Sequence, residues 1–340
     1  MRGAAVVVCI GCLLSTAVAR AQPGRDAGAG TIQTISPVVD RALQSARAHN
    51  RAGRHVEAAA ALARLSGRDR ARPEVQAELA IARFTSLGVP LEPDGARTLP
   101  LPARRALSAL TATLARWTTQ RADALALLTL GRARLVVGEL EAAASSLAAS
   151  AAAEPSPEAW NDRAMVLVAL RRLPEAERSL DEATRLAPRD ADPWSNLGAV
   201  RLARGDAPRA VEAFRRAVEL DPSRARFHAD LGSALLASSE LEAAVTSYER
   251  ARVISPDDAV VLANLGYALS LANRLDDAVS ALRRAVQRAP RSVTAWNNLG
   301  AVLARRGERD EARACFERAM ALDPGDPRAR ANLDALQGAR

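Results

Sequence analysis

The chain has 340 residues, 49% hydrophobic and 25% charged, a balance that excludes a wholly disordered protein. Aromatic residues are only 3%, so Ala and Leu rather than stacked rings must fill the core. The net charge of +8 and pI of 10.7 resemble those of nucleic-acid binders, but all 47 basic residues are Arg, which stays charged to about pH 12, so a modest excess yields an extreme pI.

Met1-Arg2 is a short positive start, followed over 3–19 by an uncharged stretch containing Val6-Val7-Val8, Ile10 and Leu13-Leu14. Ala19-Arg20-Ala21 then sets small residues at the two places a signal peptidase reads. This layout predicts a secretory signal over 1–21, cleaved after Ala21. A spanning helix needs about 20 residues, so the stretch is marginal as a membrane anchor. Retention as an anchor and a lipoprotein site at Cys12 are the alternatives. Cleavage removes Cys9 and Cys12, which leaves Cys315 alone and the mature chain without an intrachain disulfide. Residues 22–36, with Pro23 and several Gly, read as a flexible leader.

Residues 37–122 read as a divergent helical region. Gly53, Ala58 and Leu62 suggest an eroded helical pair over 38–70, and helices over 74–87 and 103–121 suggest another. The link between those two, with Pro90, Pro93, Asp94-Gly95, Pro100 and Pro102, is longer than a repeat turn.

From there a 34-residue period organises the chain. Prolines recur at 188, 222, 256, 290 and 324, and Leu-Gly pairs at 197–198, 231–232, 265–266 and 299–300. Trp160, Trp194 and Trp296 share a column with His228 and Leu262. Ala176, Ala210, Ala244, Ala278 and Ala312 form another; Leu180, Phe214, Tyr248, Leu282 and Phe316 a third; and Ala183, Ala217, Ala251, Ala285 and Ala319 a fourth. Trp194, Leu197 and Gly198 stand at i, i+3 and i+4, one face of a helix, and Ala210, Phe214 and Ala217 repeat the stride after a break near Arg204-Gly205-Asp206. Asp221-Pro222 ends the second helix. The small Gly198 and Ala210 predict a close helix approach, with the third-column side chain filling the gap between neighbouring copies. One helix pair cannot bury such a face alone, so stability must come from stacking.

This pattern resembles the tetratricopeptide repeat. Five copies fall in register over 157–326, and 124–156 resembles a weaker sixth through Leu130-Gly131, Gly138, Ala143, Leu147 and Pro155. Residues 327–340 resemble the terminal capping helix, with Ala329, Leu333 and Leu336 inward and Arg328, Arg330 and Asp334 outward. The resemblance implies an all-α fold, an α–α superhelix, with an array over 123–326. It also implies that the first helix of each copy lines the concave side.

No constellation for catalysis, cofactor or metal stands out. His49 and His55 lie six apart without nearby Cys. His228 sits in the Trp column and is expected to fill core space, and Cys315 to be a buried inert thiol. Each repeat Gly is isolated within a helix, unlike a phosphate-binding loop. One column invites a functional reading: Asp162, Asn196, Asp230, Asn264, Asn298 and Asn332 recur two residues after the Trp column. An Asn amide donates and accepts, so stacked copies would match the backbone of an extended peptide without reading its sequence. The arrangement resembles the asparagine ladder of O-linked N-acetylglucosamine transferase. A purely structural role for the column is the rival interpretation. Tyr267, three residues after Asn264, is a candidate apolar anchor, while Arg201 departs from the family pattern. Arg215-Arg216 and Arg283-Arg284 read as a solvated outer face, and Glu212 and Arg216 as an i,i+4 pair.

These features lead to the expectation of an exported, periplasmic or secreted, non-enzymatic bacterial envelope scaffold. It is monomeric, binds no nucleic acid and captures a protein or peptide partner in the groove. The alternative is an envelope-surface protein that docks anionic lipid or cell-wall polymer through its basic N-terminal region. Residues 1–122 hold 17 Arg against 8 acidic residues, whereas 123–340 hold 30 against 31, so the whole charge excess precedes the array.

Overall fold

The computed structural model describes residues 36–87, 91–93 and 99–338. The expected signal over 1–21 and the leader, except Ser36, lie outside the described residues. Every described regular element is an α-helix, in two compact units that divide between Pro188 and Arg189.

The unit ending at Pro188 begins with α1 (Pro37–Arg51) and α2 (His55–Ala63), followed by the single turn α3 (Gly67–Arg70). α4 (Pro73–Ser86) and α5 (Leu101–Gln120) come next, then the pairs α6 (Ala124–Val137) with α7 (Leu140–Ala153) and α8 (Pro157–Ala169) with α9 (Leu173–Leu186). Pro37, Pro73 and Pro157 open their helices, where a missing N–H costs nothing, and Ser36, Asp123 and Ser156 cap helix starts with side-chain oxygens. Val39, Leu43, Leu62 and Leu79 bury one core between α1, α2 and α4. Ile81, Phe84, Leu107, Leu114 and Trp117 bury another that includes α5 and α6.

The second unit contains α10 (Ala191–Ala203), α11 (Ala207–Leu220), α12 (Ala225–Ala237), α13 (Leu241–Ile254) and α14 (Ala259–Leu271). It continues through α15 (Leu275–Arg288), α16 (Val293–Arg306) and α17 (Arg309–Leu322) to α18 (Pro327–Gly338). Each even-numbered helix from α10 to α16 packs on the next helix as a hairpin, and each hairpin's second helix packs on the first helix of the following one. Successive first helices also touch, so the faces carrying the Asn/Asp column stand side by side within the unit. This is the all-α solenoid that the period predicts.

The glycine column explains the hairpin spacing. A Cβ on Gly198 would lie 2.8 Å from the Phe214 ring, and one on Gly300 2.7 Å from Phe316. Gly232 meets Tyr248 and Gly266 meets Leu282 in the same way. The third-column side chain therefore seats on the glycine of its own pair, and Tyr248 and Leu282 also share one core with Leu262, Leu265 and Leu299. Only a residue without Cβ lets a ring lie flat on the facing backbone.

The turn within each hairpin contains one left-handed residue. Gly205 and Gly307 hold φ of 82° and 85°, and Arg171, Ser239 and Asn273 occupy the same repeat position at 61°, 64° and 60°. Glycine takes this conformation freely, whereas the other three bear a Cβ clash.

Two expectations need correction. His228 does not fill the core: its ring is half-buried, with Nε2 3.0 Å from the Pro222 carbonyl oxygen. Glu212 is not the partner of Arg216, which instead reaches Glu219 at 2.9 Å. The Arg pairs do face solvent, and on that exposed surface Arg215 reaches Glu240 at 3.5 Å and Arg283 reaches Glu311 at 2.8 Å, each joining neighbouring hairpins. Among the described residues no helix is long and apolar enough to cross a membrane.

Candidate functional site

The column residues lie on the first helices α8, α10, α12, α14, α16 and on the cap α18, but their surroundings differ. Asp162 accepts a hydrogen bond from Arg132 Nε at 2.5 Å, an ion pair from α6 to α8 that leaves its side chain 14% exposed. In the second unit Asn196 is buried. Asp230 pairs with Arg226 one turn earlier at 3.3 Å. Burial pushes the Asp230 carboxyl up to about 6 despite that guanidinium. Asn332 Nδ2 donates to Asn297 Oδ1 at 2.9 Å, joining α18 to α16.

Asn264 and Asn298 stand apart. Both are half-buried on consecutive first helices, and neither side-chain amide has a hydrogen-bond partner among the described residues. Each amide can thus give a donor and an acceptor to an external group without breaking an internal bond. Tyr267 lies one turn after Asn264 and is also half-buried, and its hydroxyl is held protonated by partial burial. Ser233, at the same repeat position as Tyr267, is committed internally: its hydroxyl lies 2.8 Å from the buried Tyr248 hydroxyl. The column therefore divides into residues that are buried or engaged in internal bonds and two whose amides are available. Periodicity located the column but not the partnerships with Arg132 and Asn297, each of which acts from a neighbouring helix.

Elsewhere the titratable groups hold the fold. Glu78 is buried, and its carboxylate accepts from Arg47 Nε at 3.0 Å and from Asn50 Nδ2 at 2.9 Å, while His55 Nδ1 lies 3.2 Å from Asn50 Oδ1. Burial raises the Glu78 carboxyl above its ordinary range and lowers the His55 imidazole. This network ties α1 and the start of α2 to α4. Cys315 is buried, which pushes its thiol up to about 11 and keeps it protonated and unreactive at neutral pH. No group of His, Cys, Asp and Glu among the described residues is placed to hold a metal.

The family model described as Tetratricopeptide repeat matches residues 128–191, 161–223, 195–259 and 264–327, more than half of the chain. Among solved structures, a tetratricopeptide repeat protein from Parabacteroides merdae is similar at 11% identity with a TM-score of 0.55, covering 77% of this chain and 99% of that one. The APC/C hetero-tetramer Cut9–Hcn1 is similar at 17% identity with a TM-score of 0.54, covering 88% of this chain and 62% of that one. At these identities the likeness shows the fold alone. No curated protein matches the chain. Proteins of this repeat class are interaction scaffolds for protein or peptide partners. The chain belongs to the tetratricopeptide repeat family.

Proposed function

We propose that this protein is an exported, non-catalytic scaffold of the bacterial envelope that captures an extended peptide segment of a partner protein. The peptide lies on the concave side that the family resemblance assigns to the first helices. The observation that carries this reading is the pair Asn264 and Asn298, at one repeat position on α14 and α16, both with side-chain amides uncommitted among the described residues. Two such amides on adjacent helices suit a peptide backbone, which alternates donors and acceptors along its length. Tyr267 adds a rigid apolar surface with a polar tip beside them, and the protein acts as a monomer. Export rests on the layout of residues 1–21.

Crosslinking and affinity capture from the native envelope test the reading, with wild-type protein and N264A/N298A as baits. The same partner should be recovered by the wild type and lost by the double variant. Equal recovery by both would place binding elsewhere on the molecule, and recovery only from the cytoplasm would contradict export.

A further inference from the structure

α5 differs from the repeat helices. It is the longest described helix, and its sequence from Leu101 to Gln120 contains three Arg and no acidic residue. Leu107, Leu110, Leu114 and Trp117 are buried on one side. Leu101, Arg104, Arg105, Ala112 and Arg116 are all exposed, and at 3.6 residues per turn they fall within about a third of the circumference on the opposite side. Arg105 and Arg116 have no ion-pair partner among the described residues, in contrast to the many paired Arg of the array. Arg121, just past the helix, is exposed and stacks over Trp117 at 5.1 Å. Around it, the described residues between 36 and 122 hold 13 Arg against 6 acidic residues.

An apolar side chain stands beside these charges: Leu101 is 60% exposed one turn before Arg105. A hydrophilic acidic polymer would engage the guanidinium groups but gain little from an exposed aliphatic chain. An anionic bilayer engages both, with phosphates meeting Arg and the headgroup boundary receiving Leu. Between the Arg residues the face carries Ser108 and Ala112, short side chains that let the helix lie close to a surface.

We propose that the exposed face of α5, through Leu101, Arg105 and Arg116, docks this protein on a membrane containing anionic phospholipid. α5 and the Asn264/Asn298 pair belong to different units, and neither proposal depends on the other.

Protein purified as exported is sedimented with vesicles of phosphatidylcholine alone and of phosphatidylcholine mixed equally with phosphatidylglycerol. Binding should favour the anionic vesicles and fall as salt rises. The R105E/R116E variant should bind them at least about tenfold more weakly, given about fivefold per Arg near such a surface. L101S should bind several-fold more weakly with its net charge unchanged. Circular dichroism should show both variants folded, because all three side chains are exposed. Undiminished binding by R105E/R116E, or equal binding to both vesicle types, overturns the proposal. Binding that polyglutamate competes away and that L101S leaves unchanged assigns the face to an acidic polymer instead, and equally overturns it.

Discussion

His228 Nε2 lies 3.0 Å from the Pro222 carbonyl oxygen, as Trp296 Nε1 does from that of Pro290. A carbonyl only accepts, so His228 donates from Nε2, and imidazole and indole serve one purpose. Each fastens the start of a first helix to the proline turn that precedes it. This contact explains why a Trp column tolerates His. His228→Ala should lower stability by about 0.5–1.5 kcal/mol, the worth of one such bond. His228→Trp should at least match the wild type in thermal unfolding. An H228W variant as unstable as H228A would show that the carbonyl contact contributes nothing.

The left-handed turn position gives a second prediction. Arg171 and Ser239 bear the Cβ clash that Gly205 and Gly307 avoid at the equivalent position. The clash costs about 1–2 kcal/mol, and glycine's extra freedom in the unfolded chain takes back about 0.5–1. Arg171→Gly and Ser239→Gly should each gain about 0.5–1 kcal/mol in chemical denaturation. Asn273→Gly should gain less, because Asn tolerates this conformation and its Oδ1 accepts from Arg305 at 3.1 Å. Destabilisation by both R171G and S239G would refute the account of the turn.

Asp230 makes a prediction about pH. Its carboxyl is pushed up to about 6 in the folded protein, from an ordinary value of 3.8, so above pH 6 the ionised form is disfavoured by folding. As pH falls from 6 towards 4 the folded state takes up the proton before the unfolded state does, and this penalty is relieved. Asp230→Asn should therefore stabilise the protein at pH 7 by about 1–2 kcal/mol and have little effect at pH 4. Paired denaturation curves at the two pH values check this. A gain of equal size at both would show that the effect is not ionisation.

The repeat architecture was legible because a solenoid repeats its packing problem every 34 residues and answers it with the same residue types. Gly198, Gly232, Gly266 and Gly300 meet the same demand against Phe214, Tyr248, Leu282 and Phe316. Both their place and the close helix approach they permit were readable from the period. The left-handed turn was hidden: Arg171 and Ser239 stand where glycine is preferred, and residue type conceals backbone conformation. The Arg47–Asn50–Glu78 network left no sequence signal, as it joins single residues 28 and 31 positions apart. The Asn/Asp column was found from its period. Its division into committed and available members depends on partners in neighbouring helices, such as Arg132 for Asp162 and Asn297 for Asn332, which the column itself does not reveal.

The measurement closest to the central claim is a calorimetric titration of the captured partner segment into wild-type protein and N264A/N298A. Both residues are half-buried and have no side-chain hydrogen bond among the described residues, so the double variant should unfold at nearly the wild-type temperature. The account predicts an affinity loss of about tenfold or more, the equivalent of one or two hydrogen bonds to the peptide backbone. Affinity unchanged within about twofold, in a variant that remains folded, would contradict it.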